Sequence, residues 1–365
     1  MKFRLFAFTA ILLALLLNIS CETDQSPLIS EGGYTWEKSS AAEQDLNEAG
    51  LSDAENQANQ SGFVNSLLVV RNGYLVKESY FNGYDKSDAY NVMSVSKSFI
   101  SALVGLALRE GFLDSLDQRM MDFFPEYARS SMDPRTYQIT IRHLLSMRAG
   151  FDNSIEDYSV NWNRWITSPD WIRHAINLEL LHNPGTRFAY ITAETHLLSA
   201  ILTKATGMST LDFAKAYLFR PMGIRIRGWD QDPQGYYTGG MGMYFNARDL
   251  ARFGYLYLQN GLLEGQQIIP AEWVEVSLRR YSMGSGSWGA LDNIGYGYLW
   301  WLGSINGHSC FIALGYAGQY VIVFRSLNLI VVATSHPNFY PDVADAHERY
   351  ILDICSDHIL PAVLR

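Results

Sequence analysis

The sequence is short of cysteine, of clustered basic residues and of metal-ligand motifs, and each shortage argues against a class of protein. Three cysteines among 365 residues are too few for a disulfide-rich scaffold. A net charge of −9 without any run of lysine and arginine leaves no basic surface for nucleic acid. The eight histidines lack metal-ligand spacing, so we expect no metal and no cofactor. The composition, 48% hydrophobic and 18% charged, is that of an ordinary globular protein.

Long apolar runs are also scarce, and the clearest one lies near the N-terminus. Two basic residues, the apolar run from Leu5 to Leu17 and small residues before Cys21 predict a signal peptide over residues 1–20. Cys21 and the polar stretch after it resemble a bacterial lipoprotein cleavage site, at which the cysteine receives lipid and anchors the protein to a membrane. Asn18 stands where leucine is usual in that motif, so an ordinary cleaved signal or an uncleaved anchor stays open. We expect an exported protein of the cell envelope or periplasm.

Lipidation of Cys21 would leave two cysteines, Cys310 and Cys355, in the exported domain. They could pair in an oxidising compartment. The sequence does not give their separation, so two small buried residues that never meet are an equal alternative.

The chain after residue 20 divides into a tether and the start of a domain. Residues 21–50 are polar and predict a tether, followed by a single domain over 51–365. Ser52 and Glu55 have the form of a capping box for a short helix ending near Gln60.

The predicted secondary structure of the rest of the domain changes twice along the chain. Asn72-Gly73 joins two strand-like runs, Ser66 to Arg71 and Tyr74 to Phe81, and predicts a hairpin. Residues 113–280 are mainly helical in pattern, and strand patterns return after residue 282 before a closing helix. Strands at both ends of the domain predict an α+β fold. In it, one antiparallel sheet contains N- and C-terminal strands, helices flank the sheet, and the mainly helical region is an insertion. The predicted segments are the helices Ser94 to Arg109, Ile141 to Met147, Thr192 to Thr206, Ala247 to Gln259 and Asp342 to Leu360, and the strands Tyr296 to Leu302, Phe311 to Leu314, Gln319 to Arg325 and Leu329 to Thr334.

Ser94 and Lys97 form a Ser-x-x-Lys motif at the start of a predicted helix. Residues three apart share a helix face, so the ammonium of Lys97 can reach the Ser94 hydroxyl. A serine hydroxyl becomes a good nucleophile only when a neighbouring group takes its proton. The motif alone is weak, since a helix cap followed by a surface lysine has the same pattern. No G-x-S-x-G elbow is present, which disfavours an α/β-hydrolase.

Three further sequence blocks support a functional interpretation of the Ser-x-x-Lys motif. They are Ile139-Thr-Ile-Arg-His-Leu-Leu-Ser-Met-Arg-Ala-Gly150, Pro184-Gly-Thr-Arg-Phe-Ala-Tyr190 and Gly239-Gly-Met-Gly242. With Ser94-Val-Ser-Lys97, they make the chain resemble the class C β-lactamase-related serine hydrolases, within the penicillin-binding-protein-like superfamily. The nearest resemblance is to the 6-aminohexanoate-dimer (nylon-oligomer) hydrolase type. This resemblance implies a β-lactamase/transpeptidase-like fold with Ser94, Lys97 and Tyr190 as catalytic residues.

Tyr190-Ile191-Thr192 matches the Tyr-x-Asn motif of these hydrolases except at its last residue. The resemblance implies that Tyr190 shares the general-base role and returns the proton to the leaving group; a core aromatic is the alternative. Thr192 is then a substrate-binding residue. It offers one hydroxyl instead of the paired donor and acceptor of an amide.

Tyr316-Ala317-Gly318 stands where the family has Lys-Thr-Gly or a variant at the edge of the pocket. The resemblance makes Tyr316 and Gly318 substrate-binding residues. It also assigns the oxyanion hole to the backbone N–H groups of Ser94 and Gln319; an ordinary strand residue is the alternative for Gln319. Without the family's cation, we expect a neutral ester or amide substrate.

Tyr158 is a further candidate for substrate binding, by resemblance to a tyrosine of the nylon-oligomer branch. Its neighbours align poorly, and an exposed loop tyrosine is the alternative reading.

The residues and the resemblance together predict a serine hydrolase that acts through an acyl-enzyme on a small ester or amide. One alternative keeps the fold and makes the substrate a β-lactam or a D-Ala-D-Ala peptide. Another is an inactive envelope protein that binds muropeptides.

Overall fold

The computed structural model describes residues 34–152, 160–283, 286–337 and 340–364. The predicted signal peptide, Cys21, the first part of the tether and Tyr158 lie outside the described residues.

Most of the helices lie in the middle of the described chain, and strands predominate near both of its ends. The helices are α1 Glu48–Gln60, α2 Val95–Arg109, α3 Ile141–Leu145, α4 Val160–Ile166, α5 Trp171–Ile176, α6 Thr192–Thr206, α7 Thr210–Ala214, α8 Arg220–Met222, α9 Ala247–Leu258, α10 Ala271–Ser277 and α11 Pro341–Ile354. The strands are β1 Val64–Arg71, β2 Tyr74–Tyr80, β3 Tyr90–Asn91, β4 Gly228–Trp229, β5 Met243–Phe245, β6 Leu262–Leu263, β7 Gln266–Gln267, β8 Ser282–Met283, β9 Asp292–Tyr296, β10 Trp301–Ile305, β11 His308–Gly315, β12 Gln319–Phe324 and β13 Leu329–Ser335.

Eight of these strands form one antiparallel sheet in the order β2-β1-β13-β12-β11-β10-β9-β8. The N-terminal hairpin joins the C-terminal strands through β1 and β13, with Leu68 opposite Val332. The prediction of an α+β fold whose sheet contains strands from both ends of the domain is confirmed. A smaller sheet, β3-β5-β4, lies at the helical region and includes the strand just before α2.

Both faces of the large sheet are covered, because alternate residues of its central strands belong to two separate cores. Val321 and Val323 of β12 pack with α2, α9 and the helical region. Tyr320 and Ile322, one position along, pack with α1 and α11. Burial on both faces explains why these strands read as nearly continuous apolar runs.

The domain begins earlier than residue 51, so the predicted tether over 21–50 is too long. Trp36 is 4% exposed and its indole N–H donates to the carbonyl of Arg248 at 3.2 Å. Leu46 is buried in the core beneath α11. Residues from Tyr34 onward therefore belong to the folded domain, because the few large apolar side chains of this polar segment are anchored in it.

Two predicted elements differ in their bounds. The first helix begins at Glu48 rather than near Ser52, because the side chain of Asn47 accepts hydrogen bonds from the first turn. The predicted strand Tyr296 to Leu302 is split by a turn in which Leu299 has a φ of 61°. The predicted hairpin is present, and Asn72 and Gly73 take the left-handed conformations that its tight turn requires.

Cys310 and Cys355 are both buried free thiols in the structure. Burial raises the pKa of Cys310 to about 12. Within the described part of the chain, no helix has the length and apolarity needed to cross a bilayer.

Candidate active site

Ser94 lies at the junction between β3 and the buried helix α2. Val92 is tied to β5 by a 2.9 Å backbone bond to Met243, and Met93 then takes a φ of 49°. A positive φ at a non-glycine residue is strained and turns the chain sharply. The turn makes Ser94 the N-cap of α2 and places it in the wall of a cleft.

Lys97 is one helical turn further on and only 1% exposed. Its Nζ donates to the Ser94 Oγ at 2.8 Å, to the Thr192 Oγ1 at 3.0 Å and to the Gly240 carbonyl at 2.9 Å. These three bonds compensate for the lost hydration of the buried ammonium, and they hold it against the Ser94 hydroxyl. The side chain is therefore held for chemistry at Ser94.

Gly240 can accept this bond only because it has no side chain. A Cβ there would lie 2.4 Å from the Thr192 Cγ2 and 3.2 Å from the Lys97 Nζ. The neighbouring Gly239 is as crowded, since its Cβ would lie 1.9 Å from the Thr195 carbonyl oxygen. The Gly-Gly pair lets the backbone approach the lysine closely.

Tyr190 lines the cleft beside Ser94. The Lys97 Nζ lies 4.8 Å from the centre of its ring, and the other side of the site is aromatic, with Trp301 stacked at 5.6 Å. Tyr296 meets the Tyr190 ring edge-on, and burial, with added repulsion from Tyr190 and Glu194, raises the pKa of Tyr296 well above its usual value. Tyr190 is thus held against the lysine by packed rings.

The turn between β11 and β12 carries the residues predicted for the oxyanion hole. Ala317 and Gly318 have φ values of 62° and 99°. The Gln319 side chain is buried and donates to the Ser335 carbonyl at 2.9 Å, while the Ser335 hydroxyl donates to the Ala317 carbonyl. Strain in the turn is therefore balanced by hydrogen bonds to β13.

Glu348 of α11 reaches the same turn and also lines the cleft. Its Oε1 accepts a 2.8 Å bond from the Ala317 N–H. Burial raises the pKa of Glu348 to about 7, against the lowering effect of that N–H bond. The pKa of Tyr316 is raised by burial and by the Glu348 charge, so Tyr316 is a neutral donor near pH 7.

The cleft has a volume of about 860 Å³ and a mixed lining. Aromatic and aliphatic side chains form much of it, including Phe188, Trp288 and Leu314. The described charged residues that line it are Arg148, Arg187 and Glu348. A small organic substrate with apolar parts fits such a space.

The structure brings together most of the residues that the sequence selected. Ser94, Lys97, Tyr190 and Thr192 meet at one point, and Ser94, Tyr190 and Tyr316 line one cleft. Thr192 is 4% exposed and its observed contact is with Lys97, so direct contact with a substrate stays a prediction.

Sequence reasoning missed several parts of the site. The Gly240 carbonyl had a signal in the Gly239-Gly-Met-Gly block, but its role as an acceptor for Lys97 depends on tertiary contact. Trp301, Arg148, Arg187 and Glu348 had no signal that separated them from core or surface residues.

A serine at the start of a buried helix, a lysine one turn on, a tyrosine from the next motif and a flanking antiparallel sheet define the β-lactamase/transpeptidase-like class of hydrolases. Comparison with known sequences agrees. The family model described as Beta-lactamase matches residues 57–356, so the chain belongs to this family.

Individual relatives span both hydrolases and penicillin-binding proteins. The 6-aminohexanoate-dimer hydrolase of Paenarthrobacter ureafaciens is 28% identical over 312 residues, 77% of this chain and 74% of the relative. The octameric penicillin-binding protein homologue from Pyrococcus abyssi superposes with a TM-score of 0.68 at 20% identity, over 87% of this chain and 77% of that one. EstCE1, a hydrolase with promiscuous acyltransferase activity, has a TM-score of 0.68 at 18% identity, over 84% and 98%. At these identities the two structures establish the fold alone.

Proposed function

We propose that the protein is a serine hydrolase that cleaves a small ester or amide through an acyl-enzyme on Ser94. The observation that carries the proposal is the 2.8 Å bond between the Lys97 Nζ and the Ser94 Oγ at the wall of an open cleft. An inactive protein of this fold would have no need to bury an ammonium and hold it against one serine hydroxyl.

The reaction has two balanced halves. The Ser94 Oγ bonds to the substrate carbonyl carbon as its proton passes to the Tyr190 oxygen, which acts as a phenolate beside the Lys97 ammonium. The leaving oxygen or nitrogen then takes that proton from Tyr190 as its bond to carbon breaks. Water then attacks the acyl-enzyme carbonyl, giving up a proton to the Tyr190 oxygen, and the Ser94 oxygen recovers a proton as the acid leaves. The backbone N–H groups of Ser94 and Gln319 would stabilise the oxyanion in both halves.

The substrate class rests on what surrounds the reacting bond. Tyr316 is a neutral donor where related enzymes have a cation, and Thr192 replaces an amide side chain. Both departures favour an ester or a simple amide over a β-lactam. The activities named for 6-aminohexanoate-dimer hydrolase and EstCE1 lie within this range.

The proposal is tested with a panel of p-nitrophenyl esters, linear amides and nitrocefin on one purified sample. Ser94→Ala should abolish turnover of every substrate in the panel. Ser101→Ala is the matched control, because Ser101 is a buried serine two turns further along α2 that does not line the cleft. It should keep wild-type kcat/KM.

Two outcomes would remove the proposal. Full activity in Ser94→Ala would mean that another group is the nucleophile. No turnover of any substrate, with no covalent adduct on Ser94, would favour an inactive binding protein.

We also propose that the protein is exported and anchored through lipid on Cys21. The apolar run that ends before Ser20-Cys21 supports this proposal. Expressed in a Gram-negative host, the wild type should partition with membranes and carry lipid at Cys21, and Cys21→Ala should not. An unmodified, soluble N-terminus in the wild type would leave simple export.

A further inference from the structure

Two arginines line the cleft and have no carboxylate partner in the described part of the chain. Arg148 is partly buried and donates one Nη1 bond of 3.2 Å to the Tyr281 carbonyl. Arg187 is exposed at the rim. Neither forms an ion pair within the described residues, whereas Arg142 and Arg248, for example, are each held by a carboxylate. The guanidinium groups are thus available to a ligand.

Ser282 gives a second, independent indication of a ligand at the same place. It is 8% exposed, lines the cleft, and its Oγ has no hydrogen-bond partner among the residues that the structure describes. Buried hydroxyls are normally paired, and an unpaired one in a cleft wall needs an explanation. The adjacent residue, Tyr281, supplies the carbonyl that holds Arg148. The unpaired hydroxyl and the guanidinium therefore belong to neighbouring parts of one wall.

Backbone hydrogen bonds join the segments that carry the two arginines, and Tyr190 lies in one of these segments. The Gly185 N–H donates to the Arg148 carbonyl at 2.7 Å, and the Ala189 N–H donates to the Met147 carbonyl at 2.9 Å. These bonds join the segment of Arg148 to the segment that carries Arg187 and Tyr190. The positive charge of the cleft lies on this wall, whereas Tyr316 is uncharged.

We infer that Arg148, Arg187 and Ser282 form a subsite for a carboxylate on the substrate, set apart from the bond that reacts. Planar guanidinium groups bind carboxylates through paired donors, and a serine hydroxyl adds one more. Phe188 follows Arg187 in the chain and meets Trp301 edge-on at 6.1 Å, and Trp301 stacks on Tyr190. An apolar chain can therefore connect the carboxylate to the ester or amide along these rings. The substrate is then a monoanion with a neutral reacting group, instead of the neutral substrate expected from the sequence, because two arginines line the cleft. This inference rests on the proposed function and adds the charge of the substrate to it.

Pairs of esters that differ only in charge test the inference. On the leaving-group side they are 4-carboxyphenyl hexanoate and its neutral isostere 4-carbamoylphenyl hexanoate. On the acyl side they are the p-nitrophenyl monoester of adipic acid and the corresponding adipamide ester. The wild type should prefer the anion of one pair by about 10-fold to 200-fold in kcat/KM, the range of a charge-assisted hydrogen bond.

Arg148→Gln and Arg187→Gln should each reduce that preference, because they lower kcat/KM for the anionic ester by a larger factor than for the neutral one. A thermal melt like that of the wild type shows that each variant is folded. Arg220→Gln removes one exposed charge outside the cleft and should change neither value. Ser282→Ala should lower kcat/KM for the anionic ester more than for the neutral one.

The same charge preference is measured in the dissociation constants of both ester pairs with Ser94→Ala protein. Equal binding and equal kcat/KM for anion and neutral ester in both pairs would overturn the subsite. So would a preference that survives both arginine substitutions. Loss of turnover with a retained charge preference in binding would count against the proposed function alone.

Discussion

Glu348 and Ala317 are joined by a 2.8 Å hydrogen bond between the carboxylate and the backbone N–H, which ties α11 to the strained turn before β12. The carboxyl group of Glu348 is buried, and burial raises its pKa from 4.5 to about 7. The same residue therefore supports the turn and makes the stability of the domain depend on pH.

Glu348→Gln should make the domain more stable above neutral pH. The folded state holds the proton up to about pH 7, but the unfolded chain releases it near pH 4.5. Stability from this group is therefore complete below pH 4.5 and falls as pH rises to about 7. Glutamine keeps an acceptor for the Ala317 N–H without the charge, so we expect a gain of about 1 to 3 kcal/mol at high pH.

Urea unfolding on the two sides of that range checks this expectation. Glu272→Gln, at an exposed position of α10, is the control and should behave like the wild type. A Glu348→Gln protein with the same pH dependence as the wild type would show that the carboxyl group is not responsible.

Tyr190→Phe should lower kcat/KM for esters by about 100-fold to 10,000-fold, the range of a general acid–base group. The ring would keep its stacking on Trp301 and its contact with Lys97, so the fold should not change. Steady-state kinetics and thermal melts give the two readings. Tyr217→Phe, in a separate aromatic cluster with Phe112 and Phe213, should leave kcat/KM unaltered. An active Tyr190→Phe enzyme would reduce Tyr190 to a packing residue.

Gly240→Ala should displace Lys97 and inactivate the enzyme. The new Cβ would lie 2.4 Å from the Thr192 Cγ2. Neighbouring atoms must move to relieve this clash, at a cost of about 1 to 3 kcal/mol. Adding Thr192→Ser removes that methyl group and keeps the hydroxyl that accepts from Lys97. The double variant should regain part of the lost kcat/KM. No recovery, with a stable fold, would place the damage elsewhere.

Nitrocefin should be a poor substrate, at least about 100-fold below the best ester in kcat/KM. Its carboxylate lies beside the scissile amide, where Tyr316 can donate only a neutral hydrogen bond, and losing a charge-assisted bond typically costs about 10-fold to 200-fold. Tyr316→Lys should shift the ratio towards nitrocefin, and Tyr316→Phe should not. Efficient nitrocefin hydrolysis by the wild type would favour the β-lactamase alternative.

Patterns that depend on local sequence were predicted well. The helix Thr192–Thr206 matches its expected bounds, because its apolar residues recur with helical period and Gly207 ends it with a φ of 69°. The Asn72-Gly73 turn and the order of the C-terminal strands followed from similar signals. The strand predicted over Tyr296 to Leu302 was wrong in the middle, since buried turn residues there are as apolar as strand residues.

The site was predictable only as far as side-chain motifs reach. Ser94, Lys97 and Tyr190 stand in recognisable blocks. The Gly240 carbonyl acts through its backbone, and Glu348 reaches the turn from a helix 31 residues further along the chain. Such contacts depend on how distant elements pack, and no local pattern encodes them.

The most direct test of the central claim is to find the residue that a serine-directed fluorophosphonate probe modifies, by peptide mapping with mass spectrometry. The account predicts one adduct, on Ser94, in the wild type and in Ser101→Ala, and no adduct in Ser94→Ala. An adduct on another residue, or equal labelling of Ser94→Ala, would contradict it.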